Sequence, residues 1–166
     1  MSSNFIKAFD KVIELEGGYT LHKNQTESAV TYAGIYRKAH PKWSGWEYVD
    51  KEETPPTQLV REFYYERYYK AYENLDHNIA YVMFESSVNM GATAVKLAQR
   101  VLNIADDGVA GAKTLTALKG ATPREFLYSF TIAKIAYYNH LASKEQYKPY
   151  LRGWINRSLK SLEGIV

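Results

Sequence analysis

Residues 5–19 read FIKAFDKVIELEGGY, and the apolar spacing in this stretch is helical. Phe5, Phe9, Val12 and Glu16 fall at i, i+4, i+7 and i+11, with Ile6 and Ile13 beside them, which gives one stripe at 3.6 residues per turn. Ser3 or Asn4 is placed to cap the start. Gly17 and Gly18 stop the helix, since a glycine just past the last periodic residue readily takes the left-handed conformation. Glu16 breaks the pattern, because it lies on the stripe of Phe9 and Val12 while Asp10 and Glu14 project elsewhere. It also sits in the last turn, where the negative end of the helix dipole disfavours an anion. Desolvation and dipole together oppose ionisation, so the expected state is a carboxylic acid able to donate a proton near neutral pH. The alternative is a side chain that snorkels to solvent at a frayed helix end. The two glycines favour the first reading, because they let a substrate approach the carboxyl closely.

Outward from this helix the period is lost. From Tyr19 to about Pro56, Gly, Pro, Ser, Thr and Trp punctuate the chain, which predicts a loop-rich lobe with room for a short hairpin or helix. Thr54 is then placed to cap a helix with Pro55 at its first position, continued by the run through Leu59, Phe63, Tyr64, Tyr68 and Leu75. Further helices are predicted over 79–89, 93–102 and about 113–119. Thr122, Pro123 and Glu125 form a capping-box start for a helix that carries Phe126, Phe130, Ala133, Tyr137 and Leu141 on one face. Leu151, Ile155, Leu159 and Leu162 mark the last. The expectation is an all-α, mainly helical chain of about seven helices, a single domain over 1–166 without internal repeats.

Composition agrees. At 166 residues, 46% hydrophobic and 23% charged, the chain can bury one ordinary core. It has no cysteine, which excludes disulfides, thiolate metal sites and a cysteine nucleophile. The net charge of +3 is spread over scattered Lys and Arg, so nucleic acid is not an expected partner. No basic and apolar leader follows Met1 and no apolar run reaches the ~18–20 residues of a membrane span. Synthesis is expected to end in the cytosol, without stable membrane association.

Other candidates are weaker. His22, His40, His77 and His140 lack metal-ligand spacing, and no phosphate loop or nucleophile elbow is present. His22 could line a cleft beside Glu16. Trp43 and Trp46 read as anchors that close a cysteine-free loop, with sugar binding as the alternative. Asp107, Gly108, Gly111 and Thr114 form a DGxxGxxT pattern that reads as a turn entering a helix, a structural role.

The strings VIELEGGYTLHK (12–23), TYAGI (31–35), WSGW (43–46), FESSVNMG (84–91), VLNIADDGVAGAKTLTAL (101–118) and GWINR (153–157) together resemble glycoside hydrolase family 108. These are bacterial and phage N-acetylmuramidases of lysozyme-like fold. The resemblance spans nearly the whole chain, with a catalytic-motif half over 1–76 and a half over 77–166 similar to a peptidoglycan-binding helical region. It implies that Glu16, the Glu of the EGGY motif, is the catalytic acid. It further implies substrate contacts at Gly17, Gly18, Tyr19, Thr31, Tyr32, Gly34, Glu85 and Asn89, with Thr31, Tyr32 and Gly34 facing Glu16 across a cleft. Tyr32 is equally readable as a packing residue of the small lobe.

The sequence also departs from the family. Where relatives carry an Asp followed by two glycines, residues 26–31 read TESAVT. Glu27, one residue away, is the candidate second carboxylate. Glu85 stands where relatives have Asp, and Lys134 where they often have Arg.

The implied function is hydrolysis of the β-1,4 bond between N-acetylmuramic acid and N-acetylglucosamine in peptidoglycan, with no metal or organic cofactor and a monomer as the expected state. Two alternatives stand beside it. One is a lytic transglycosylase, which closes an anhydro ring with the substrate's own 6-hydroxyl. The other is a wall-binding module that has lost activity. Without a leader, reaching the wall requires a holin, a specialised secretion route or lysis.

Overall fold

A computed structural model describes residues 1–23 and 28–162. It is 64% helical, with eight α-helices among the described residues and one sheet of three two-residue strands, so the mainly helical class holds. The contacts divide the chain into two compact units, Met1–Lys70 and Ala71–Val166.

In the first unit, α1 (Ser3–Leu15) buries Phe5, Ala8, Phe9, Val12 and Ile13. Its cap is Ser2, whose hydroxyl accepts from the Phe5 N–H at 3.2 Å, rather than Ser3 or Asn4. A small antiparallel meander follows: β1 (Leu21–His22), β2 (Thr31–Tyr32) and β3 (Ile35–Tyr36), with Leu21 opposite Tyr32 and Tyr32 opposite Ile35. A short helix, α2 (Trp46–Val49), begins at the second of two tryptophans. Trp43 and Trp46 meet edge to face at 5.0 Å, and the Trp46 indole N–H donates to the His40 carbonyl at 2.7 Å, so both act as loop anchors.

The helix α3 spans Thr57–Tyr64, starting later than the sequence pattern suggested. Pro56 bars its predecessor from helical backbone angles, so Pro55 cannot open the helix and Thr54 cannot cap it. Beyond Tyr64 the chain widens into a π-helical turn, Tyr65–Tyr69, then tightens into a 3₁₀ turn, Lys70–Tyr72. Rings from α1 and this segment form the core of the unit, with Phe9 edge-on to Tyr64 at 5.6 Å and Phe5 edge-on to Tyr65 at 5.1 Å.

In the second unit, α4 (His77–Met90), α5 (Ala92–Val101), α6 (Ala112–Gly120), α7 (Pro123–Leu141) and α8 (Leu151–Lys160) follow in order. Asp76 caps α4 by accepting from the N–H groups of Asn78 and Ile79. Thr122 precedes α7 but makes no side-chain capping bond, which corrects the expected capping box. The buried face of α7 runs through Phe126, Leu127, Phe130, Thr131, Lys134 and Tyr138. In α8 the residue buried is Ser158, while Leu159 is exposed. Trp154 explains this rotation: it stacks on Tyr138 at 4.9 Å, and an aromatic face outweighs a leucine stripe.

Two polar clusters organise this unit. Lys134 and Glu85, 1% and 2% exposed, form an ion pair at 3.0 Å, and the Ser86 hydroxyl donates to the same carboxylate oxygen. Gln99, buried at the end of α5, donates to Asp107, the Val109 carbonyl and Thr114, and accepts from the Gly108 N–H. Thr114 in turn donates to Val109. The DGxxGxxT turn is thus tied to α5 by a side chain outside the pattern. Breaking the buried ion pair strands a charge, which typically costs about 3–5 kcal/mol. Lys134→Met is therefore expected to lower stability in urea melts by that order, and adding Glu85→Gln to recover most of the loss.

Candidate active site

Gly18 donates its N–H to the Ile13 carbonyl at 2.8 Å and Gly17 to the Glu14 carbonyl at 3.1 Å, with φ of +71° and +86°. This paired closure is a Schellman end, and it makes Glu16 the capping residue of α1, at φ −84° and ψ 6°. Glu16 is half-buried just past the carbonyl end of the helix. A side-chain carbon added at Gly17 or Gly18 would meet nothing within 4 Å beyond the adjoining residues, so it is the left-handed backbone that demands glycine there.

The turn between β2 and β3 consists of Ala33 and Gly34, with φ of +49° and +76°. Two successive positive φ values are those of the tight hairpin turn that matches strand twist. Gly34 fits this without strain, but Ala33 does not. Ala33 is held by its surroundings: its N–H donates to the Thr20 carbonyl at 3.2 Å, and its carbonyl accepts from the Tyr64 hydroxyl at 2.9 Å. Gly34 lies directly against Glu16. A carbon added there would stand 3.1 Å from Glu16 Oε2 and 3.2 Å from its Cβ, and would run into the Tyr64 hydroxyl. Burial first, then the nearby Glu16, push the Tyr64 pKa strongly upward, so its hydroxyl keeps its proton and stays a donor.

Glu16, Gly34 and Tyr64 therefore meet in one place. The first two were singled out in the sequence. Tyr64 was not, because within the run of tyrosines nothing local sets it apart from a core ring. Thr31 and Tyr32, on the strand leading to this turn, are both buried. Tyr32 stacks on Trp43 at 6.0 Å and 22°, which is packing rather than an open face for a sugar. Its buried hydroxyl has no hydrogen-bond partner among the described residues. Tyr19 is exposed, its pKa raised by partial burial against the opposing pull of Arg61. His22 is exposed in β1. Glu27 lies outside the described residues.

In the second unit, Glu85 is enclosed with Lys134. Asn89 is exposed at the end of α4 and donates to the Tyr138 hydroxyl at 2.8 Å. In this arrangement Asn89 reaches the surface and Glu85 does not. No group of three His, Asp or Glu among the described residues is arranged to hold a metal ion, and no described helix is long and apolar enough to cross a membrane.

The chain is similar in fold to the structure of Brucella abortus SagA, with a TM-score of 0.75 and 24% identity over 95% of this chain and 90% of that one. No curated protein sequence matches it. A family model described as a predicted peptidoglycan domain matches residues 93–159. The model of glycosyl hydrolase family 108 matches residues 9–91, which contain Glu16, Gly34 and Tyr64. The protein belongs to glycosyl hydrolase family 108.

Proposed function

We propose that this peptidoglycan-acting glycosyl hydrolase is an N-acetylmuramidase, and that Glu16 is its general acid. The observation that carries the reading is the seating of Glu16. It is a half-buried carboxyl at a helix carbonyl end, braced by a turn that admits no side chain at Gly34, with a protonated Tyr64 hydroxyl beside it. A helix carbonyl end disfavours a negative charge. Glu16 protonates the oxygen of the β-1,4 bond between N-acetylmuramic acid and N-acetylglucosamine as that bond breaks. Positive charge develops on the ring carbon and oxygen, and a water molecule adds to the ring carbon to complete hydrolysis. Gly17, Gly18 and Tyr19, which follow Glu16 directly, are candidate substrate contacts. Glu27 is the candidate second carboxylate, and the Glu16–Glu27 separation in the working enzyme would set the stereochemical course. Asn89, exposed at the end of α4, is a further candidate substrate contact.

The test is product analysis. Digestion of purified sacculi is expected to release muropeptides ending in reducing N-acetylmuramic acid, which gain two hydrogens with borohydride in mass spectra. Anhydro ends that resist reduction would replace hydrolysis with transglycosylation. Binding without release of soluble fragments would leave only a wall-binding module.

A further inference from the structure

The DGxxGxxT turn does more than enter a helix. Beside it lies an open depression of about 560 Å³, within the range typical of small-ligand sites. Ala105, Ala112 and Ala117 supply small apolar walls beside the larger Ile104, and Asp107 and Lys113 add one charge of each sign. The framework is rigid, because Gln99 and Thr114 spend their hydrogen bonds on fixing the turn. Asp107 is held ionised: the Val109 N–H, then the Gln99 amide, lower its pKa, and Lys113 adds to the effect. The network fixes the turn, and the depression beside it is open to solvent, with Ala105, Asp107, Ala112, Lys113 and Thr116 exposed along it.

We infer that this depression binds the peptide stem of peptidoglycan, separately from glycan cleavage. No aromatic ring lines it, whereas sugar sites favour ring faces. Alanine-sized walls suit alanine methyl groups. A stem also carries carboxylates, which Lys113 can meet, and the ammonium of a diamino acid, which ionised Asp107 can meet. The depression lies wholly within residues 99–117, inside the segment matched by the predicted peptidoglycan domain. The inference takes peptidoglycan as the partner from the proposed function and is independent of Glu16.

The experiment is calorimetric titration of the full chain with the free tetrapeptide L-alanyl-γ-D-glutamyl-diaminopimelyl-D-alanine. Peptide-free glycan strands from amidase-treated sacculi serve as the control. Lys113→Glu removes the cation at an exposed position, and Ala117→Leu fills the depression. Each is expected to weaken tetrapeptide binding at least about tenfold, with glycan binding and cleavage of peptide-free strands unchanged. Glu16→Gln is expected to bind the tetrapeptide as the wild type does, so loss of the acid and loss of stem binding separate. Absence of tetrapeptide binding by the wild type, or equal binding by wild type and Lys113→Glu, would overturn the inference.

Discussion

Glu16→Gln is expected to remove nearly all glycan cleavage while leaving the fold intact. Gln keeps the shape and the hydrogen-bonding capacity of the side chain at the end of α1 but carries no transferable proton. General-acid catalysis is commonly worth ~10²–10⁴-fold, and the loss is expected to be at least of that order where one acid serves the leaving oxygen. The thermal midpoint is expected to stay the same or rise slightly, because a neutral amide replaces a group that is unfavourable, when ionised, at the helix carbonyl end. Turbidity clearance of sacculi reads the first effect and a calorimetric melt the second. Glu27→Gln is the comparison. A severe loss there makes Glu27 a second carboxylate, and a change within a few-fold makes it a bystander. Substantial cleavage by a well-folded Glu16→Gln would remove Glu16 from the mechanism and direct the search for the acid to Glu27.

That Glu16 stands out in the sequence as the candidate acid reflects how local the signals are around it. An apolar stripe, an acid on that stripe and two glycines lie within 15 residues, and the helix end they predict is the Schellman closure of Gly17 and Gly18. The helices of the second unit were legible for the same reason, as was the anchoring role of Trp43 and Trp46. What was hidden depends on contacts between distant residues. Nothing about alanine favours positive φ at position 33; the Tyr64 hydroxyl, 31 residues along, and Thr20 hold it there. Gln99 looks like one polar residue on an amphipathic helix until the turn at 107–114 folds onto it. Glu85, read as a substrate contact from its motif, is enclosed because Lys134 comes from another helix. The face of α8 depends on Trp154, which stacks on Tyr138 of α7 and on Tyr150 just before α8. The late start of α3 was local and could have been read from the Pro55–Pro56 pair.

The position that tests the geometry of the site most sharply is Gly34. Gly34→Ala is expected to damage both stability and catalysis, and the two losses have different causes. A side chain at φ +76° costs about 1–2 kcal/mol for backbone strain alone. The added carbon also runs into the Tyr64 hydroxyl and presses on Glu16 Oε2, so either the turn or the carboxyl must shift. If Tyr64 gives way, its bond to the Ala33 carbonyl is lost and the strained turn loosens. If Glu16 gives way, the acid leaves its line to the glycosidic oxygen, and a displacement of about 1 Å at a reacting group can cost ~10²-fold. Gly108→Ala is the control, since it shares the positive φ at +78° but lies in the second unit, where the added carbon meets chiefly the flexible Lys96 side chain. It is expected to lose similar backbone stability and to keep activity within about tenfold. Paired urea melts and initial rates on sacculi separate the cases. If both variants lose activity equally, the strain of a left-handed residue is the whole effect, and Gly34 has no special place beside Glu16.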